Sequence, residues 1–338
     1  MFDARVSVPA VIGQWTTLGL GGPAADVVEA RTDEELVAAV RANGPVLVLA
    51  GGSNLVVADE GFPGTVVRVM TTGVTRDDDV VHVAAGEPWD AFLARCVDHG
   101  RAGAECLSGI PGSIGATPIQ NVGAYGQEVA ETIASVRAYD RREDRVVDLA
   151  PSECGFGYRT SAFKRDPERH VVLRVSYHLP HREQSGPIRY AELARALDVP
   201  VGGTAPLGEV REAVLALRRG KGMVLDPADP DTRSAGSFFT NPILEAERLP
   251  ENAPAWPEPD GRVKTSAAWL IEQAGFSRGE GDPNGIAISS KHVLALTNRG
   301  GGTAAELLAC ARRIAAGVRD RFGIELVPEP VFVGLPWP

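Results

Sequence analysis

The chain has 338 residues, 44% of them hydrophobic, and its 34 basic and 44 acidic side chains give a formal net charge of −10. This length predicts two domains, or three small ones, with a sizeable core. The negative charge disfavours nucleic acid and anionic membranes as partners. No basic and apolar leader opens the chain and no apolar run of about 18 residues follows, so we expect a soluble, cytoplasmic protein.

Residues 15 to 70 are predicted to alternate strand and helix. Thr32-Asp33-Glu34-Glu35 has the form of a capping box for a helix that ends at Gly44. The apolar run Val46-Leu47-Val48-Leu49 then predicts a buried strand. The first part of the chain is therefore interpreted as a small α/β unit.

Short strands dominate the pattern from about residue 80 to 200. An amphipathic helix is predicted at 89–98, and an antiparallel or mixed sheet is expected because its candidate strands are short and follow one another closely. These strands are predicted at 80–84, 135–139, 146–149 and 171–179.

The third part begins near residue 205 and is predicted to be a compact α/β domain. A helix through Val210, Val214 and Leu217 reaches Lys221, and the Pro-rich segment 250–260 is predicted to be a surface loop. Further helices are predicted at 264–274 and 303–321, and strands at 292–298 and 325–333.

Two glycine-rich stretches carry the strongest functional signal. The first is Leu49-Ala50-Gly51-Gly52-Ser53-Asn54-Leu55, and the second runs from Gly109 to Gly126. Glycine takes positive φ without steric cost and lets backbone N–H groups approach an anion, so the two stretches predict a shared cradle for the diphosphate of a dinucleotide. Neither the NTPase phosphate loop nor the Rossmann spacing G-x-G-x-x-G is present, and a tight surface turn remains the alternative for Gly51-Gly52 alone.

The four cysteines give no sign of a disulfide framework or a metal site. Cys96, Cys106, Cys154 and Cys310 are scattered without a C-x-x-C pair, and no histidine lies at metal-ligand spacing. Free thiols in a reducing compartment, without a bound metal, are therefore expected.

Six strings follow one another in a fixed order between residues 13 and 334: AGGSN, SGIPGSIGATPIQNVGAYG, CGFGYRTSAFK, AGSFFTNP, KTSAAWLIEQAGF and PEPVF. In this order they resemble the UDP-N-acetylenolpyruvoylglucosamine reductases, flavoproteins that make UDP-N-acetylmuramate for bacterial cell walls. The resemblance implies an α+β protein with a two-part FAD-binding fold of the FAD-linked oxidase (PCMH-like) type and a C-terminal α/β substrate-binding domain. We expect domain boundaries at 1–70, 71–203 and 204–338.

The resemblance also implies the reaction. Non-covalently bound FAD would accept hydride from NADPH, the co-substrate, and N5 of the flavin would give hydride to C3 of the enolpyruvyl ether of UDP-N-acetylglucosamine. Because negative charge then accumulates next to the carboxylate and C2 must be protonated, the site needs a cation and a proton donor. We expect UDP-N-acetylenolpyruvoylglucosamine and NADPH as the only partners of a monomer.

Three residues match the catalytic positions of the family. Ser237, in Gly236-Ser237-Phe238-Phe239, matches the proton-donating serine, although a turn serine is the alternative. Arg159 matches the arginine that polarises the carboxylate, and a surface ion pair is its alternative. Glu329 matches a glutamate near the same carboxylate, where we infer that it is protonated or hydrogen-bonded. Its flanking sequence Val-Pro-Glu-Pro departs from the Glu-Pro-Glu-Val of the family.

Binding residues are assigned by the same resemblance. Tyr190 resembles a tyrosine that closes over the diphosphate-sugar in one subtype of the family. Lys221 and His292 are further candidates for substrate binding. Arg218 could take the place of Lys221, and His292 could instead be a hydrogen-bonded histidine at a strand start. The cofactor-binding residues would be Leu49, Ala50, Gly51, Gly52, Ser53, Asn54, Leu55, Pro111, Gly112, Ser113, Ile114, Gly115, Gln120, Asn121, Gly123, Ala124 and Tyr125. The substrate-binding residues would be Tyr158, Tyr190, Lys221, Asn241 and His292.

Two other functions remain open at this point. An FAD oxidase of the related fold would pass electrons to O2, often from a flavin attached through His or Cys, and residues 51–57 contain neither. A non-catalytic binder of flavin or UDP-sugar would have no reason to keep Ser237, Arg159 and Glu329 together.

Overall fold

The computed structural model describes residues 10–41 and 44–337, and its contacts divide the chain into two units. Of the described residues, unit 1 contains Ala10, Ala24–Gly51 and Pro63–Gly220, and unit 2 contains Val11–Pro23, Gly52–Phe62 and the chain from Lys221 onward. The three predicted domains, 1–70, 71–203 and 204–338, are not tested by this division and stay a prediction.

The elements up to Gly220 follow in chain order. They are β1 (Ala24–Ala30), α1 (Asp33–Val40), β2 (Val46–Leu49), β3 (Leu55–Val57), β4 (Phe62–Val69), β5 (Val74–Asp77), β6 (Val80–Ala84), α2 (Trp89–Asp98), α3 (Thr117–Gln120), β7 (Gly123–Ala124), β8 (Gln127–Glu128), β9 (Ile133–Asp140), β10 (Arg145–Leu149), α4 (Ala162–Arg165), β11 (His170–His178), α5 (Ala191–Ala196) and α6 (Leu207–Gly220).

The elements after Gly220 are shorter on average, apart from one long helix. They are β12 (Ile243–Leu244), β13 (Ala255–Pro257), β14 (Val263–Thr265), α7 (Ala267–Gln273), β15 (Ile286–Ile288), β16 (Leu296–Asn298), α8 (Ala304–Phe322) and β17 (Val331–Val333).

Unit 1 is built around a five-stranded antiparallel sheet in the order β10-β9-β11-β6-β5. Its core includes Trp89 and Phe92 of α2 and Tyr177 of β11, whose ring centroids lie 5.6–6.0 Å apart. Contacts between aromatic rings at these distances add to the free energy gained from burying the rings. The four predicted strands and the amphipathic helix at 89–98 are confirmed.

A smaller sheet of unit 1, in the order β1-β4-β2, includes a parallel pairing of β2 with β4. Helix α1 begins as predicted, since the hydroxyl of Thr32 accepts a hydrogen bond from the Glu35 N–H at 3.2 Å. The Glu35 carboxylate accepts from the N–H of Arg31 rather than from that of Thr32, so the capping box is displaced by one residue.

In unit 2, the long helix α8 packs against short strands. Thr303 and Glu306 form a reciprocal capping box at the start of α8, and Gly323 ends it with a left-handed φ of 65°. Strand β3 pairs in parallel with β17, so the segment after the first glycine stretch is joined to the end of the chain. The core includes Leu270 and Ile271 of α7, Leu307 and Ile314 of α8, and Phe238 and Phe239.

Several sequence predictions need correction. The predicted loop 250–260 contains β13, which pairs with β14. The predicted strand 292–298 begins only at Leu296, because residues 289–295 form a turn closed by the Ser289 N–H and the Ala295 carbonyl at 2.8 Å. The predicted strand 325–333 is reduced to Val331–Val333, since Pro328 and Pro330 cannot donate to a ladder.

Candidate active site

The two glycine stretches meet within unit 1. The backbone N–H of Gly51 donates to the hydroxyl of Ser113 at 3.0 Å. A Cβ atom on Gly51 would lie 2.5 Å from the Cα of Gly112, and Gly112 itself has a left-handed φ of 118°. Only glycine permits this approach of one backbone to another. The second stretch is not a continuous loop, because it includes a short helical turn at Ile114–Ala116 followed by α3.

The first stretch continues in unit 2 with a second steric constraint. Gly52 has a φ of 59°, and a Cβ atom there would lie 1.9 Å from the carbonyl oxygen of Trp15. Its own carbonyl accepts the N–H of Thr17 at 3.1 Å. These contacts fix the chain direction just before Ser53 and Asn54.

Asn54 is bonded to the segment that contains Glu329. Its side-chain amide donates to the carbonyl of Glu329 at 3.3 Å, and its own carbonyl accepts the N–H of Val331 at 2.9 Å. The N–H of Glu329 in turn donates to the carbonyl of Phe238 at 2.8 Å, so Glu329 lies beside the segment carrying Ser237. Three predicted site residues are therefore neighbours within unit 2.

Ser237 lies in a bend held on both sides. Before it, the Ser234 carbonyl accepts the Thr17 hydroxyl at 2.7 Å, and the Ser234 hydroxyl accepts the Gly236 N–H at 3.2 Å. After it, the N–H of Phe238 donates to Leu294, and the rings of Phe238 and Phe239 are almost completely buried. Ser237 itself is half-buried. Such an arrangement fixes the backbone on both sides of Ser237.

Arg159 lies in a tight turn of unit 1. Residues 157 and 160 exchange backbone hydrogen bonds at 3.0 and 3.1 Å, and Arg159 adopts a left-handed φ of 52°. Its Nη2 donates to the carbonyl of Gly123 at 2.6 Å, and its guanidinium lies 5.4 Å from the ring centroid of Tyr158. The half-buried guanidinium is thus oriented by two predicted site residues.

Gln120 and Asn121 end helix α3, and the two side chains bind different partners. The Gln120 amide oxygen accepts from the ammonium of Lys164 at 2.9 Å, and the same ammonium donates to the carbonyl of Arg159 at 3.2 Å. The side chain of Asn121 is 1% exposed and contacts Gly157 and Glu128. Lys164 was missed by the sequence assignment, although it ends the string CGFGYRTSAFK.

Tyr125 and Tyr190 make an edge-to-face contact in unit 1, with centroids 5.5 Å apart at 89°. Burial raises the pKa of Tyr125 to about 12 and also raises that of Tyr190. Arg218 of α6 is 8% exposed, and burial lowers its pKa to about 10 against the opposing effects of Tyr125 and Asp90. A buried cation therefore lies in the electrostatic neighbourhood of Tyr125.

The remaining predicted substrate residues belong to unit 2. Lys221 is half-buried in the turn after α6. The side-chain oxygen of Asn241 accepts the N–H of Ala267, the first residue of α7, at 3.0 Å. His292 lies in the turn before β16, not at a strand start, and its N–H donates to the Ser289 hydroxyl at 3.3 Å.

The other predicted cofactor residues lie close to these anchors in the chain. In unit 1, Leu49 ends β2 and is buried, Ala50 and Pro111 are half-buried, Ile114 and Gly115 are buried in the helical turn, and Ala124 forms β7 with Gly123. In unit 2, Ser53 is half-buried and Leu55 begins β3.

Comparison with known proteins decides the family. Two family models match: "FAD binding domain" over residues 24–150, and "UDP-N-acetylenolpyruvoylglucosamine reductase, C-terminal domain" over residues 227–333. The UDP-N-acetylenolpyruvoylglucosamine reductase of Thermobifida fusca is 57% identical over 346 residues, covering 96% of this chain and 97% of the relative. The chain belongs to the UDP-N-acetylenolpyruvoylglucosamine reductase family. The reductase of Streptomyces avermitilis is 56% identical, covering 96% and 94%.

A solved structure agrees with this membership in the reductase family. The crystal structure of the UDP-N-acetylenolpyruvylglucosamine reductase from Thermus caldophilus has a TM-score of 0.70 at 27% identity, covering 97% of this chain and 99% of the other. The predicted family, the two-part FAD-binding fold with a C-terminal domain, and the enzyme class of FAD-dependent oxidoreductase are confirmed.

The described part of this reductase-family chain offers neither a membrane-spanning helix nor a metal cluster. Within residues 10–41 and 44–337, no helix combines the length and the apolar character needed to cross a membrane. The same residues contain no group of three or more His, Cys, Asp or Glu side chains able to hold a metal ion. All four cysteines are free thiols, and burial raises the pKa of Cys96 and Cys106 to about 12 and that of Cys154 to about 11.

Proposed function

We propose that this chain binds FAD non-covalently and, with NADPH as the co-substrate, reduces the enolpyruvyl ether of UDP-N-acetylglucosamine to UDP-N-acetylmuramate. The reaction would supply peptidoglycan precursor synthesis in the cytoplasm, with the enzyme acting as a monomer. Membership of the reductase family supports the substrate. The observation that carries the proposal is the hydrogen bond from Glu329 to Phe238, since it brings two of the three predicted catalytic residues together.

The residues present fit a diphosphate cofactor. Gly51 and Gly112 approach so closely that a Cβ atom on Gly51 would lie 2.5 Å from Gly112, and backbone amides that are not shielded by side chains suit phosphate oxygens. The FAD diphosphate would be held by 49–55 and 111–115, and the flavin by Gln120, Gly123, Ala124 and Tyr125 together with the backbone of Asn121. FAD, when bound, would supply the hydride chemistry that connects NADPH to C3 of the enolpyruvyl group.

Arg159 pairs with the substrate carboxylate through its guanidinium. As hydride reaches C3, negative charge develops on C2 and the carboxylate, and a permanent cation in a partly buried site stabilises that charge more than water does. The hydrogen bond from Arg159 to Gly123 and its contact with Tyr158 restrict the guanidinium before the substrate arrives. Less reorganisation is then needed during the reaction.

Ser237 donates the proton that C2 requires. A serine hydroxyl is a weak acid, but it is adequate toward an enolate, which is a strong base, if competing water is excluded. The buried rings of Phe238 and Phe239 beside it support such exclusion. Glu329, anchored by Asn54 and Phe238, acts on the same carboxylate end of the substrate as a hydrogen-bonding partner.

Substrate binding uses aromatic and cationic groups. Tyr158 and Tyr190 offer rings with hydroxyl tips, Lys221 offers a charge for the diphosphate, and Asn241 and His292 offer hydrogen bonds. The edge contact of Tyr190 with Tyr125 supports a place for Tyr190 next to a predicted flavin residue.

The experiment measures FAD binding and each of the two half-reactions separately. Heat-denatured protein should release free FAD, identified by its absorbance. In anaerobic stopped flow, NADPH should bleach the bound flavin, and UDP-N-acetylenolpyruvoylglucosamine should restore its colour with formation of UDP-N-acetylmuramate. A parallel titration with NADH measures the choice of nucleotide.

Each step can fail separately. Protein without releasable FAD would contradict the cofactor. Bleaching by NADPH without recovery on addition of the enolpyruvyl substrate would contradict the reductase function, and rapid recovery with O2 alone would favour an oxidase.

A further inference from the structure

The turn that carries Arg159 is conformationally costly. Arg159 has a φ of 52° in a turn closed between Gly157 and Thr160, a position that usually belongs to glycine. A long side chain in the left-handed region costs free energy and persists only where surrounding contacts hold it. The contacts that hold this turn therefore decide where the guanidinium lies.

Asn121 makes one of the contacts that tie this turn to the second glycine stretch. Its Nδ2 donates to the carbonyl of Gly157 at 2.9 Å, at the start of the turn. Two residues later in the chain, the carbonyl of Gly123 accepts Arg159 Nη2 at 2.6 Å. One short segment, 121–123, thus fixes both the backbone and the guanidinium of the same turn.

The side chain of Asn121 has protein partners at both polar atoms. Its Nδ2 also donates to the Glu128 carboxylate at 2.8 Å, and its Oδ1 accepts the N–H of Ala130 at 3.2 Å. Asn121 is 1% exposed, and its own φ of 44° at the end of α3 is one that asparagine tolerates. An amide engaged in this way faces the protein and not a ligand.

We propose that Asn121 is a positioning residue for Arg159, which acts by holding the 157–160 turn, rather than a flavin ligand through its side chain. This inference rests on the proposed function for its kinetic consequence. Loss of the Asn121 amide releases the turn, so Arg159 leaves its bond to Gly123 and no longer meets the substrate carboxylate in a fixed geometry. Flavin binding and the NADPH half-reaction do not depend on that bond.

The test uses Asn121→Gly, because glycine keeps the left-handed backbone and removes only the side chain. The matched control is Asn252→Gly, at an exposed asparagine of unit 2 with a φ of 63°. In Asn121→Gly we expect FAD content and flavin reduction by NADPH within about twofold of the control. Flavin reoxidation by the enolpyruvyl substrate should be at least about tenfold slower, the factor that loss of one hydrogen bond to a charged centre gives. Equal reoxidation rates in the two variants would overturn the inference, and so would loss of FAD.

A double-mutant cycle and a crystal structure make the test specific. If Asn121 acts through Arg159, Asn121→Gly should add almost nothing to the reoxidation defect of Arg159→Lys, whereas independent effects would multiply. Crystals of Asn121→Gly should show the Arg159 Nη2 to Gly123 O distance beyond hydrogen-bonding range, and an unchanged turn would refute the inference. The crystal structure tests the inference even if the wild-type protein does not reduce the substrate. That failure would contradict the proposed function but not the role of Asn121 in holding the turn. Should Asn121→Gly not fold, Asn121→Ser removes the amide donor to Gly157 without placing a second carboxylate against Glu128.

Discussion

Ser237 owes its position to its neighbours and not to its own side chain. The Thr17 hydroxyl and the Leu294 carbonyl bind the chain on either side of it, and Phe238 and Phe239 anchor the bend in the core of unit 2. Removing the hydroxyl should therefore leave the bend intact. A serine in such a setting can be tested for chemistry separately from folding.

We predict that Ser237→Ala leaves flavin reduction by NADPH unchanged and slows product formation by at least about 100-fold, the lower end of what a positioned proton donor contributes. Anaerobic stopped flow measures the two half-reactions separately. The exposed Ser277 supplies a control, since Ser277→Ala should change neither. A comparable loss in both half-reactions of Ser237→Ala would show that the hydroxyl is structural.

At the scale of elements, local patterns predicted four of the five strands of the large sheet of unit 1 and the longer helices. The apolar runs predicted β2, β6, β9, β10 and β11 close to their observed bounds, because at least one face of each strand is buried or partly buried against the core. The cap located α1 for a local reason, since the Thr32 hydroxyl accepts the N–H of Glu35, three residues on.

The elements and contacts that the sequence did not predict depend on partners that lie far away in the sequence. The short strand β13 is exposed and is defined by its partner β14, which no pattern within 255–257 reveals. The segment before β17 is directed by hydrogen bonds to Phe238 and Thr240, about 90 residues away in sequence. The involvement of Lys164 and the inward-facing amide of Asn121 likewise depend on contacts across unit 1. The family strings identified candidate residues but not which atoms they bind.

The approach of the two glycine stretches gives an element-scale prediction. Gly51→Ala would place a methyl carbon 2.5 Å from the Gly112 Cα, far inside van der Waals contact, so the two stretches must separate. We expect purified Gly51→Ala to have lost most of its FAD, with the dissociation constant for added FAD raised at least about tenfold, the equivalent of one lost hydrogen bond.

Gly208→Ala is the matched control. Gly208 is exposed in the first turn of α6, and a Cβ atom there would meet nothing within 4 Å. It should keep its flavin and match or exceed the wild-type melting temperature, because alanine favours helix. Full flavin content in Gly51→Ala would mean that the cofactor does not use this approach.

At the scale of the whole molecule, stability in acid depends on carboxylates held in unit 1. Asp140 ends β9 and is 2% exposed. Its Oδ2 accepts both Nε and Nη2 of Arg169 at 3.0 and 2.8 Å, and its Oδ1 accepts the N–H groups of Arg142 and Glu143. Burial opposes the charge, but these hydrogen bonds outweigh it and lower the pKa of Asp140 to about 2.

This depressed pKa predicts the direction of the pH dependence. An unfolded aspartate titrates near pH 3.9, about two units higher, so Asp140 stabilises the fold fully above about pH 5, and its contribution declines as the pH falls toward 2. Asp140→Asn should therefore lower the free energy of unfolding at pH 7 by about 1.5–3 kcal/mol, the range for hydrogen bonds to a charged group. Urea unfolding at several pH values should show the gap to wild type narrowing between pH 5 and pH 2, while Asp198→Asn, at an exposed position, shows no gap at any of them. A gap that stayed constant into acid would mean that Asp140 acts through its packing and not through its charge.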